Sequence, residues 1–252
     1  MAPQLDILEE RFTVCAQRVT LVFPAYNEVG CLRRAVEEAT DFLMKTDQGF
    51  EIIIAEDGST DGTAKEAQRI TDSDPRVKYI HNDERLGRGR ALTKAFRQST
   101  GAILVYMDID LSTDTRFLAP LINAVNEGYD IATGSRMLPE SRVSRKLRRT
   151  IASHVYNGLV RLLLRSDIRD HQCGFKAFRR DGIFKVLEKV QARHWFWDTE
   201  TLIIANRMGL RIKEIPIIWR EGEGTKVNLF RDFVEMGYQT FKLWRRFLKE
   251  KT

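Results

Sequence analysis

Three stretches of the chain share one pattern, in which a run of consecutive apolar residues ends abruptly in polar side chains. They are residues 18–28 (RVTLVFPAYNE), 50–63 (FEIIIAEDGSTDGT) and 101–113 (GAILVYMDIDLST). Continuous apolar runs of four to six residues, rather than alternating ones, are typical of strands buried on both faces of a parallel sheet. The pattern therefore predicts three buried strands, each followed by a polar loop.

Segments with helical spacing lie between these runs, at residues 30–45, 61–71 and 89–99. Asp61 is placed to cap the second of these helices. Strand and helix in alternation predict a doubly wound α/β fold. In such folds, ligands bind outside the carboxyl ends of the strands, which is where all three polar loops fall.

The chain after Asp130 has a less regular pattern. It predicts a short strand and turn within 129–137, one long helix over 142–165, a helix over 197–209 closed by Gly209, and a strand over 211–219. No internal repeat and no linker rich in Pro, Gly and Ser interrupts the sequence. We therefore expect one domain over residues 1–226 and a helical tail over 227–252.

Composition places the protein among ordinary globular chains, with 252 residues, 43% apolar and 30% charged. Its three cysteines are scattered without a CxxC pair, which disfavours a disulfide framework or a zinc site and fits a reducing compartment. No signal peptide is recognisable, and no apolar run approaches the roughly 18 residues of a membrane span. The net charge of +6 is unevenly distributed, which predicts an anionic partner: phosphates, a membrane surface or nucleic acid.

Two carboxylates, Asp108 and Asp110, follow the third strand one residue apart. In an extended chain both would point to the same side, and a hard divalent cation would relieve their repulsion. Because Mg²⁺ is commonly held by one or two carboxylates plus substrate phosphates, the pair predicts Mg²⁺ or Mn²⁺ on a diphosphate. The alternative is a solvated loop with a helix cap. Asp57, Asn27 and Glu28 end the other two strands, where they either converge on this site or serve as turn residues.

Basic residues concentrate in residues 134–149 (GSRMLPESRVSRKLRR). Arginine suits bidentate phosphate recognition, although a charged run is also typical of a solvated helix face. Farther on, His171 and Cys173 lie two residues apart, but no second pair completes a zinc site.

The tail carries apolar residues on one helical stripe, namely Phe230, Phe233, Val234, Gly237, Phe241, Trp244 and Leu248. Its basic residues lie mainly elsewhere. This pattern predicts an amphipathic helix, which would lie either in a membrane interface or against the domain's own core.

Eight short motifs give the sequence a family resemblance. In order along residues 18–228 they are FPAYNE, AEDGSTDGT, LGRGRAL, MDIDLS, GSRM, DHQCGFKAF, WFWDTE and EIPIIWREGEGTKV. Together they resemble the family 2 glycosyltransferases, and within them the dolichyl-phosphate mannose synthases and glucosyltransferases. The resemblance implies a GT-A fold, an α/β, Rossmann-like architecture with a mostly parallel central sheet flanked by helices.

The resemblance implies roles for residues that would bind the donor. Pro24, Tyr26 and Glu28 match the first nucleotide-contacting motif, and Asp57 the carboxylate that contacts the base. Glu56 replaces the family's usual first aspartate, which should not change nucleotide binding. Asp108 matches the residue near the ribose and phosphates and is also a candidate metal ligand, and Asp110 matches the direct ligand. Ser112 stands where related mannose synthases often place a glutamine ligand, so it would act through water or not at all.

The resemblance also implies phosphate-binding residues in the second half. Arg136 matches an arginine that grips the lipid phosphate, and either Arg148 or Arg149 matches a second one. Arg220 matches an arginine that reaches the donor β-phosphate, and Lys226 follows in the same loop. Of these, Asp110, Arg136 and Arg220 are the expected catalytic residues. Glycines 222 and 224 would let the loop fold over the donor.

The implied reaction moves a hexose, with inversion, from UDP-glucose or GDP-mannose to dolichyl or another polyprenyl phosphate, with Mg²⁺ or Mn²⁺ as cofactor. The QCGFKAF motif favours glucose. The enzyme is expected at the cytoplasmic face of a membrane, as a peripheral protein or a shortened form of an anchored one, and a membrane partner subunit stays open. The alternative is a soluble family 2 enzyme with a glycan or small-molecule acceptor.

Two other classes fit the sequence poorly. A sugar nucleotidyltransferase needs a Gly/Arg-rich loop after the first strand, which FPAYNE is not. A nucleic-acid-binding module would have a basic face without carboxylates at strand ends, so nucleic acid is not an expected partner.

Overall fold

A computed structural model describes residues 17–46, 48–222 and 229–250, with side chains described throughout except at 229–233. Its main sheet has seven strands in the order β3-β2-β1-β4-β7-β5-β8, all parallel except β7, which runs antiparallel to both neighbours. A second, parallel pair joins β6 to β9. The strands are β1 Val19–Ala25, β2 Phe50–Glu56, β3 Val77–Ile80, β4 Ile103–Met107, β5 Ile131–Ser135, β6 Arg142–Ser144, β7 Phe175–Arg179, β8 Ile212–Pro216 and β9 Ile218–Arg220.

Eight α-helices cover the two faces of the sheet in the described chain. They are α1 Val29–Leu43, α2 Thr63–Ser73, α3 Arg88–Gln98, α4 Leu118–Asn126, α5 Leu147–Leu164, α6 Arg180–Leu187, α7 Phe196–Arg207 and α8 Leu229–Lys249. The predicted α/β fold with a mostly parallel sheet and a C-terminal helix is confirmed.

Successive strand residues feed two separate cores, one on each face of the sheet. In β1, Leu21 and Phe23 join the core under α1, α2 and α4, whereas Val22 joins the core under α3, α5, α6 and α7. All three side chains are fully buried. Burial on both faces is the reason that these strands appear in the sequence as continuous apolar runs.

Two predicted elements differ from the structure. The expected helix over 142–165 is instead the short strand β6 followed by α5, because Arg142 donates its backbone N–H to Ile217 and the chain pairs with β9. The expected strand over 211–219 breaks into β8 and β9 after Pro216, whose nitrogen has no proton for a ladder. Both breaks result from pairing between segments about 75 residues apart.

The predicted helix ends are close to the observed ones. α7 ends before Gly209, which has a left-handed φ of +76°, as expected for a helix stop. Asp61 lies one residue before the N-cap of α2, yet its carboxylate accepts the N–H of Thr63 at 3.0 Å and that of Val29 at 3.3 Å. It therefore stabilises the start of two helices rather than one.

The tail helix α8 packs on the domain and also presents apolar side chains to solvent. Met236, Leu243 and Phe247 are buried in the core shared with α5 and α7. Other apolar residues on both helices are exposed: Leu147, Ile151, Val155 and Leu162 on α5, and Val234, Tyr238, Phe241 and Leu248 on α8. Within the described residues, no helix is long and apolar enough to span a bilayer. The boundary between 226 and 227 lies outside the described residues, so the division into two domains stays a prediction.

Phe178 is at the centre of the second core, with ring neighbours Phe96 at 5.7 Å, Tyr106 at 6.2 Å and Trp197 at 6.4 Å. We predict that Phe178→Ala lowers the free energy of unfolding by about 3–5 kcal/mol, because it leaves a cavity in a packed aromatic cluster. Urea denaturation followed by circular dichroism measures the change. Leu162→Ala, at an exposed helix position, is the control and should change it by no more than about 0.5 kcal/mol; equal losses in both would contradict the packing described.

Candidate active site

The candidate site lies where three neighbouring strands, β2, β1 and β4, end side by side. Tyr26 follows β1, Asp57 follows β2 and Asp108 follows β4, each within one residue of the strand's last position. Asp57 donates its backbone N–H to Ala25, and Asp108 donates its own to Gly174, which precedes β7. The sheet register thus brings residues from four separate segments to one edge.

The loop after β1 is fastened to the loop after β2. Asn27 has a left-handed φ of +55°, and its side-chain oxygen accepts the Thr60 N–H at 2.8 Å. The backbone N–H of Glu28 donates to the Thr63 hydroxyl at 2.8 Å. Pro24 lies half-buried in β1 itself. The first nucleotide motif is therefore held as a rigid rim of the site.

Asp57 is almost fully buried, and its two carboxylate oxygens accept the backbone N–H groups of Leu86 and Gly87 at 2.7 and 2.9 Å. It thereby holds the loop that carries Arg85, whose guanidinium lies 3.9 Å from the centre of the Tyr26 ring. The contact of Asp57 with a donor base stays a prediction; what its oxygens do in this structure is to position the loop above Tyr26.

Glu56, the residue that departs from the family's usual aspartate, is completely buried. Its carboxylate contacts the backbone N–H of Ser59 and the Nδ1 of His81. The Glu56 side chain therefore makes its contacts within the protein, at the loop after β2, and is not exposed to solvent.

A cation of the protein itself lies opposite Asp108. Arg88, at the start of α3, bonds Asp108 Oδ1 at 2.6 Å with one nitrogen and Asp198 Oδ2 at 2.5 Å with another. Asp198 also pairs with the fully buried Lys176 at 2.9 Å, and the hydroxyl of Tyr106 donates to it. Two carboxylates and two cations thus alternate in a network whose Arg88, Asp198 and Lys176 are largely buried, while the side chain of Asp108 is 39% exposed, so that each buried charge is paired.

The pKa values of the two carboxylates in this network are shifted in opposite directions. Burial is the main influence on the pKa of Asp108 and raises it; Arg88 opposes the rise, and the nearby charge of Asp110 adds to it. Burial also acts on Asp198, but Lys176 and Arg88 outweigh it and lower its pKa. No local pattern in the sequence points to this network, because its members lie 20 to 110 residues apart along the chain.

Asp110 has different surroundings from Asp108, contrary to the expectation that both point to the same side. The chain leaves the extended conformation after Met107, and Leu111 has a left-handed φ of +52°. Asp110 is exposed and accepts the Ser112 N–H at 3.0 Å. No basic side chain pairs with it in the described parts of the chain. A carbon added at Gly222 would lie 2.9 Å from its Oδ2, so the Asp110 side chain would have to shift to accommodate a larger residue there.

The residues at Asp110 fit a divalent cation that shares its ligands with a diphosphate. No group of three or more His, Cys, Asp or Glu side chains occurs among residues 17–46, 48–222 and 229–250. A cation at Asp110 would therefore need ligands from the substrate, which is the usual arrangement for Mg²⁺. Ser112 is buried beside Asp110, and its backbone oxygen accepts the N–H of Arg220.

β9 passes beside this loop and brings the second half of the chain to it. Thr113 bridges to Trp219, and the next residue, Arg220, is tied to Ser112 at 2.8 Å. Lys226 and the glycine at 224 lie outside the described residues.

The arginines assigned to an acceptor phosphate differ in their surroundings. Arg136 makes a bidentate pair with the buried Asp170, at 2.7 and 2.9 Å, and lies over the Trp219 ring. Burial opposes its charge, but Asp170 raises the pKa of Arg136 further above its usual value. Arg149 pairs with Glu221 at 3.1 Å, whereas Arg148 is exposed on the outer side of α5. Of the two candidates, Arg149 is therefore the one beside Arg220.

His171 is a structural residue in this fold. It is fully buried, with Nδ1 at 2.8 Å from the Asn157 side-chain oxygen and Nε2 at 2.9 Å from the Ser166 hydroxyl. Both ring nitrogens are thus occupied by protein groups. Burial lowers the pKa of His171 to about 4 and raises that of Cys173 to about 12, so the thiol stays protonated beside an imidazole whose two nitrogens already bond protein groups.

The comparison with known sequences decides the family. The profile described as Glycosyl transferase family 2 matches residues 20–187, which include the whole strand edge and α3 to α6. The chain belongs to glycosyl transferase family 2. The expected family is thereby confirmed.

Individual relatives and solved structures agree with this membership. Glycosyltransferase AglD of Haloferax volcanii is 46% identical over 236 residues, covering 92% of this chain, which spans only 38% of AglD. Dolichyl-phosphate beta-glucosyltransferase of Saccharomyces cerevisiae is 30% identical over 86% of this chain and 71% of its own length. By structure, glucosyl-3-phosphoglycerate synthase of Mycobacterium tuberculosis, in complex with Mn²⁺, UDP and its product, superposes with a TM-score of 0.68 at 19% identity, covering 90% and 80% of the two chains. The structural likeness confirms the fold.

Sequence reasoning missed Arg85, Arg88, Lys176 and Glu221 as site residues. Arg88 lies in the LGRGRAL motif, and Arg85 immediately precedes it. Basic residues on both sides of a glycine were a signal in the sequence that could have identified them as site residues. Their partners are between 20 and 110 residues away along the chain, so no local pattern identifies the contacts.

Gly174 packs against Asp108 so closely that an added carbon would lie 1.8 Å from Asp108 Oδ2. We predict that Gly174→Ala rotates Asp108 away from Arg88 and weakens Mn²⁺-dependent binding of UDP or GDP by about tenfold or more, a loss of at least about 1.4 kcal/mol. Isothermal titration calorimetry measures it. Gly158→Ala in α5, where an added carbon meets nothing within 4 Å, is the control and should bind as the wild type does. Unchanged binding in Gly174→Ala would show that the position of Asp108 is unimportant for the nucleotide.

The depressed pKa of His171 predicts a stability change with pH. An unfolded histidine takes up a proton near pH 6.5, whereas His171 in the fold does so only near 4. Proton uptake therefore favours the unfolded chain between these values, and the free energy of unfolding falls as the pH decreases from 6.5 to 4, by up to about 3 kcal/mol. Urea titrations at pH 7 and 4.5 measure this. His171→Gln should lose this fall, and His154→Gln, at an exposed histidine, should keep it.

Proposed function

We propose that the protein transfers a hexose from UDP-glucose or GDP-mannose to dolichyl or another polyprenyl phosphate, with inversion at the anomeric carbon. The observation that carries this proposal is that the candidate sites for the donor diphosphate and for the acceptor phosphate are contacted by two successive residues at the end of β9. Arg220 is bonded to the loop of Asp110, and the next residue, Glu221, is bonded to Arg149. A diphosphate at the first site and a monophosphate at the second would be neighbours.

The donor side is supported by the sheet edge. Pro24, Tyr26, Glu28 and Asp57 frame the place for the nucleotide, with Asp108 at the floor of the site. Arg220 would reach the β-phosphate. The leaving group is a diphosphate on which negative charge grows, so cations preorganised beside it lower the barrier. Lys226 is proposed for the same role on the basis of its motif alone.

A divalent cation, Mg²⁺ or Mn²⁺, would be held by Asp110, with Asp108 and Ser112 nearby, and when bound it would neutralise charge on the diphosphate. The Mn²⁺ present with UDP in the structure of the mycobacterial synthase supports divalent metal use in this fold. Among residues 17–46, 48–222 and 229–250 no basic side chain pairs with Asp110, so its carboxylate is the group that a cation would compensate.

The acceptor side is supported by the arginine cluster and by the names of the relatives. A phosphate monoester carries about −1.5 to −2 charges near pH 7, so its oxygen attacks without a strong general base. What it needs is cationic positioning, which Arg136 and Arg149 would supply and Arg148 could supplement. The yeast dolichyl-phosphate beta-glucosyltransferase is the relative whose name points to this acceptor.

We further propose that the protein works at the cytoplasmic face of a membrane, with or without a membrane partner subunit. The exposed apolar residues of α5 and α8 support contact with a lipid surface, because α5 begins with the arginines assigned to the lipid phosphate. The second candidate is a soluble acceptor that carries a phosphate. The mycobacterial synthase, whose product is glucosyl-3-phosphoglycerate, is the observation in its favour.

The test is a transfer assay with labelled UDP-glucose and GDP-mannose, Mn²⁺ or Mg²⁺, and a polyprenyl phosphate, followed by extraction into organic solvent. We predict lipid-linked label from one donor, and a loss of about 100-fold or more in kcat for Asp110→Asn, because one essential electrostatic group is removed at constant shape. Asp114→Asn is the matched control: Asp114 lies four residues on in the same loop but is paired with Arg116.

Two results would contradict the proposal. The soluble acceptor would be favoured if the sugar nucleotide is consumed without forming lipid-linked label and the sugar is transferred to 3-phosphoglycerate instead. Equal activity of Asp110→Asn and Asp114→Asn would remove Asp110 from the donor site.

A further inference from the structure

Glu221 and Arg149 form an ion pair at the junction of the two phosphate sites. Their side chains approach to 3.1 Å, and each is less than one fifth exposed, at 17% and 18%. The other oxygen of Glu221 accepts the backbone N–H of Lys146 at 3.1 Å, just before α5 begins. Arg149 is therefore neutralised by a carboxylate of the protein at the place where the proposed function needs a cation for the acceptor.

The two arginines of this site differ in how firmly they are paired. Arg136 is held by Asp170 through both guanidinium nitrogens and an additional backbone bond, on a carboxylate that is completely buried. Glu221 meets Arg149 through one nitrogen and lies in the short segment after β9. The pair of Arg136 is built into the fold, whereas the pair of Arg149 can be exchanged for another anion.

A third arginine makes the charge balance of this cluster uneven. Arg145 donates to the Thr150 hydroxyl at 3.2 Å, and in the described chain no carboxylate forms an ion pair with it. Burial lowers the pKa of Arg145 to about 10, and the positive charge of Arg136 adds to this. Three guanidiniums thus face two carboxylates, a net charge of +1. Without Glu221 the cluster would carry +2, which matches a phosphate monoester at neutral pH.

The segment that carries Glu221 is also attached to the donor side. The residue before it, Arg220, is bonded to the backbone of Ser112, and the residue after it, Gly222, lies against Asp110. A diphosphate and cation bound at Asp110 would meet Gly222, and because the backbone N–H of Glu221 donates to Ser144 at 3.0 Å, a shift of this segment would also reach β6. Glu221 cannot stay on Arg149 if the backbone on both sides of it moves.

We infer that Glu221 is a displaceable counter-ion of the acceptor site, which occupies Arg149 until the donor binds and the acceptor phosphate replaces it. The inference rests on the proposed function and adds an order to it. Glu221 is a positioning residue that keeps other anions off Arg149 in the free enzyme and couples donor binding to acceptor binding. By linkage, each substrate then raises the affinity for the other by the same factor.

The test is the affinity for farnesyl phosphate, a water-soluble prenyl phosphate, measured by calorimetry with the intact chain at low salt. We predict that Glu221→Gln, which removes the charge at constant shape, binds it about tenfold more tightly than the wild type does. With UDP or GDP and Mn²⁺ present, the wild type should gain about tenfold and Glu221→Gln should gain little. Glu221→Ala repeats the test without an amide that could itself bond Arg149.

Two control variants make the comparison specific. Glu66→Gln removes a carboxylate of similar exposure, 15%, that pairs with Arg33 at 2.7 Å far from the site, and it should bind as the wild type does. Arg149→Ala should lose affinity for farnesyl phosphate, and Arg34→Ala, at an exposed arginine of α1, should keep it.

Weaker or unchanged binding in both Glu221 variants overturns the inference, as does a nucleotide effect that persists in them. The proposed function fails separately: if the wild type makes no lipid-linked sugar but Glu221→Gln gains affinity for farnesyl phosphate, the counter-ion stands and the reaction is wrong. If the wild type transfers the sugar and Glu221→Gln shows no gain, the reaction stands and the counter-ion is wrong.

Discussion

Arg88 joins Asp108 and Asp198, and the geometry of the site depends on this bridge. Asp108 is at the end of a central strand with its side chain partly exposed, and it would repel both Asp198 and Asp110 if Arg88 were absent. Removing one member of such a buried network leaves an uncompensated charge, which costs several kcal/mol. Two glycines leave the space that these side chains need: Gly89 leaves room for Trp197, and Gly174 leaves room for Asp108. The network therefore fixes β4, β7, α3 and α7 relative to one another at the ligand-binding edge.

Charges in the site fall into two groups according to their partners. Asp108 and Arg136 have partners that are built into the fold, Arg88 and Asp170, which hold the two side chains in place. Asp110 has no charged partner among the described residues. Arg149 has one, Glu221, which we propose can be exchanged. These two are the groups that a substrate would complete, a carboxylate awaiting a cation and a cation awaiting a phosphate. Permanent pairs next to incomplete ones give a rigid site that still binds charged ligands.

The small sheet of β6 and β9 connects the two halves of the site. β6 leads into α5 and its arginines. β9 lies beside the loop of Asp110 and ends at Arg220. The pair is short and lies outside the main sheet, and Ile218 and Trp219 of β9 pack against the core under α1, α2 and α4. The proposed coupling between donor and acceptor depends on this connection.

The sequence by itself determined the α/β fold, the three buried strands and the family, because continuous apolar runs, helical spacing and ordered motifs are local properties. It also named Asp57, Asp108 and Asp110, since residues at strand ends share one edge of a parallel sheet, and it named Arg136 and Arg220 through the family resemblance. Only the tertiary structure decided which cation compensates Asp108, that Asp57 holds a loop, that Arg149 rather than Arg148 faces the site, and that 142–165 is broken by β6. These depend on contacts between segments 20 to 110 residues apart, such as Arg88 with Asp198, whose formation is set by strand register and helix packing.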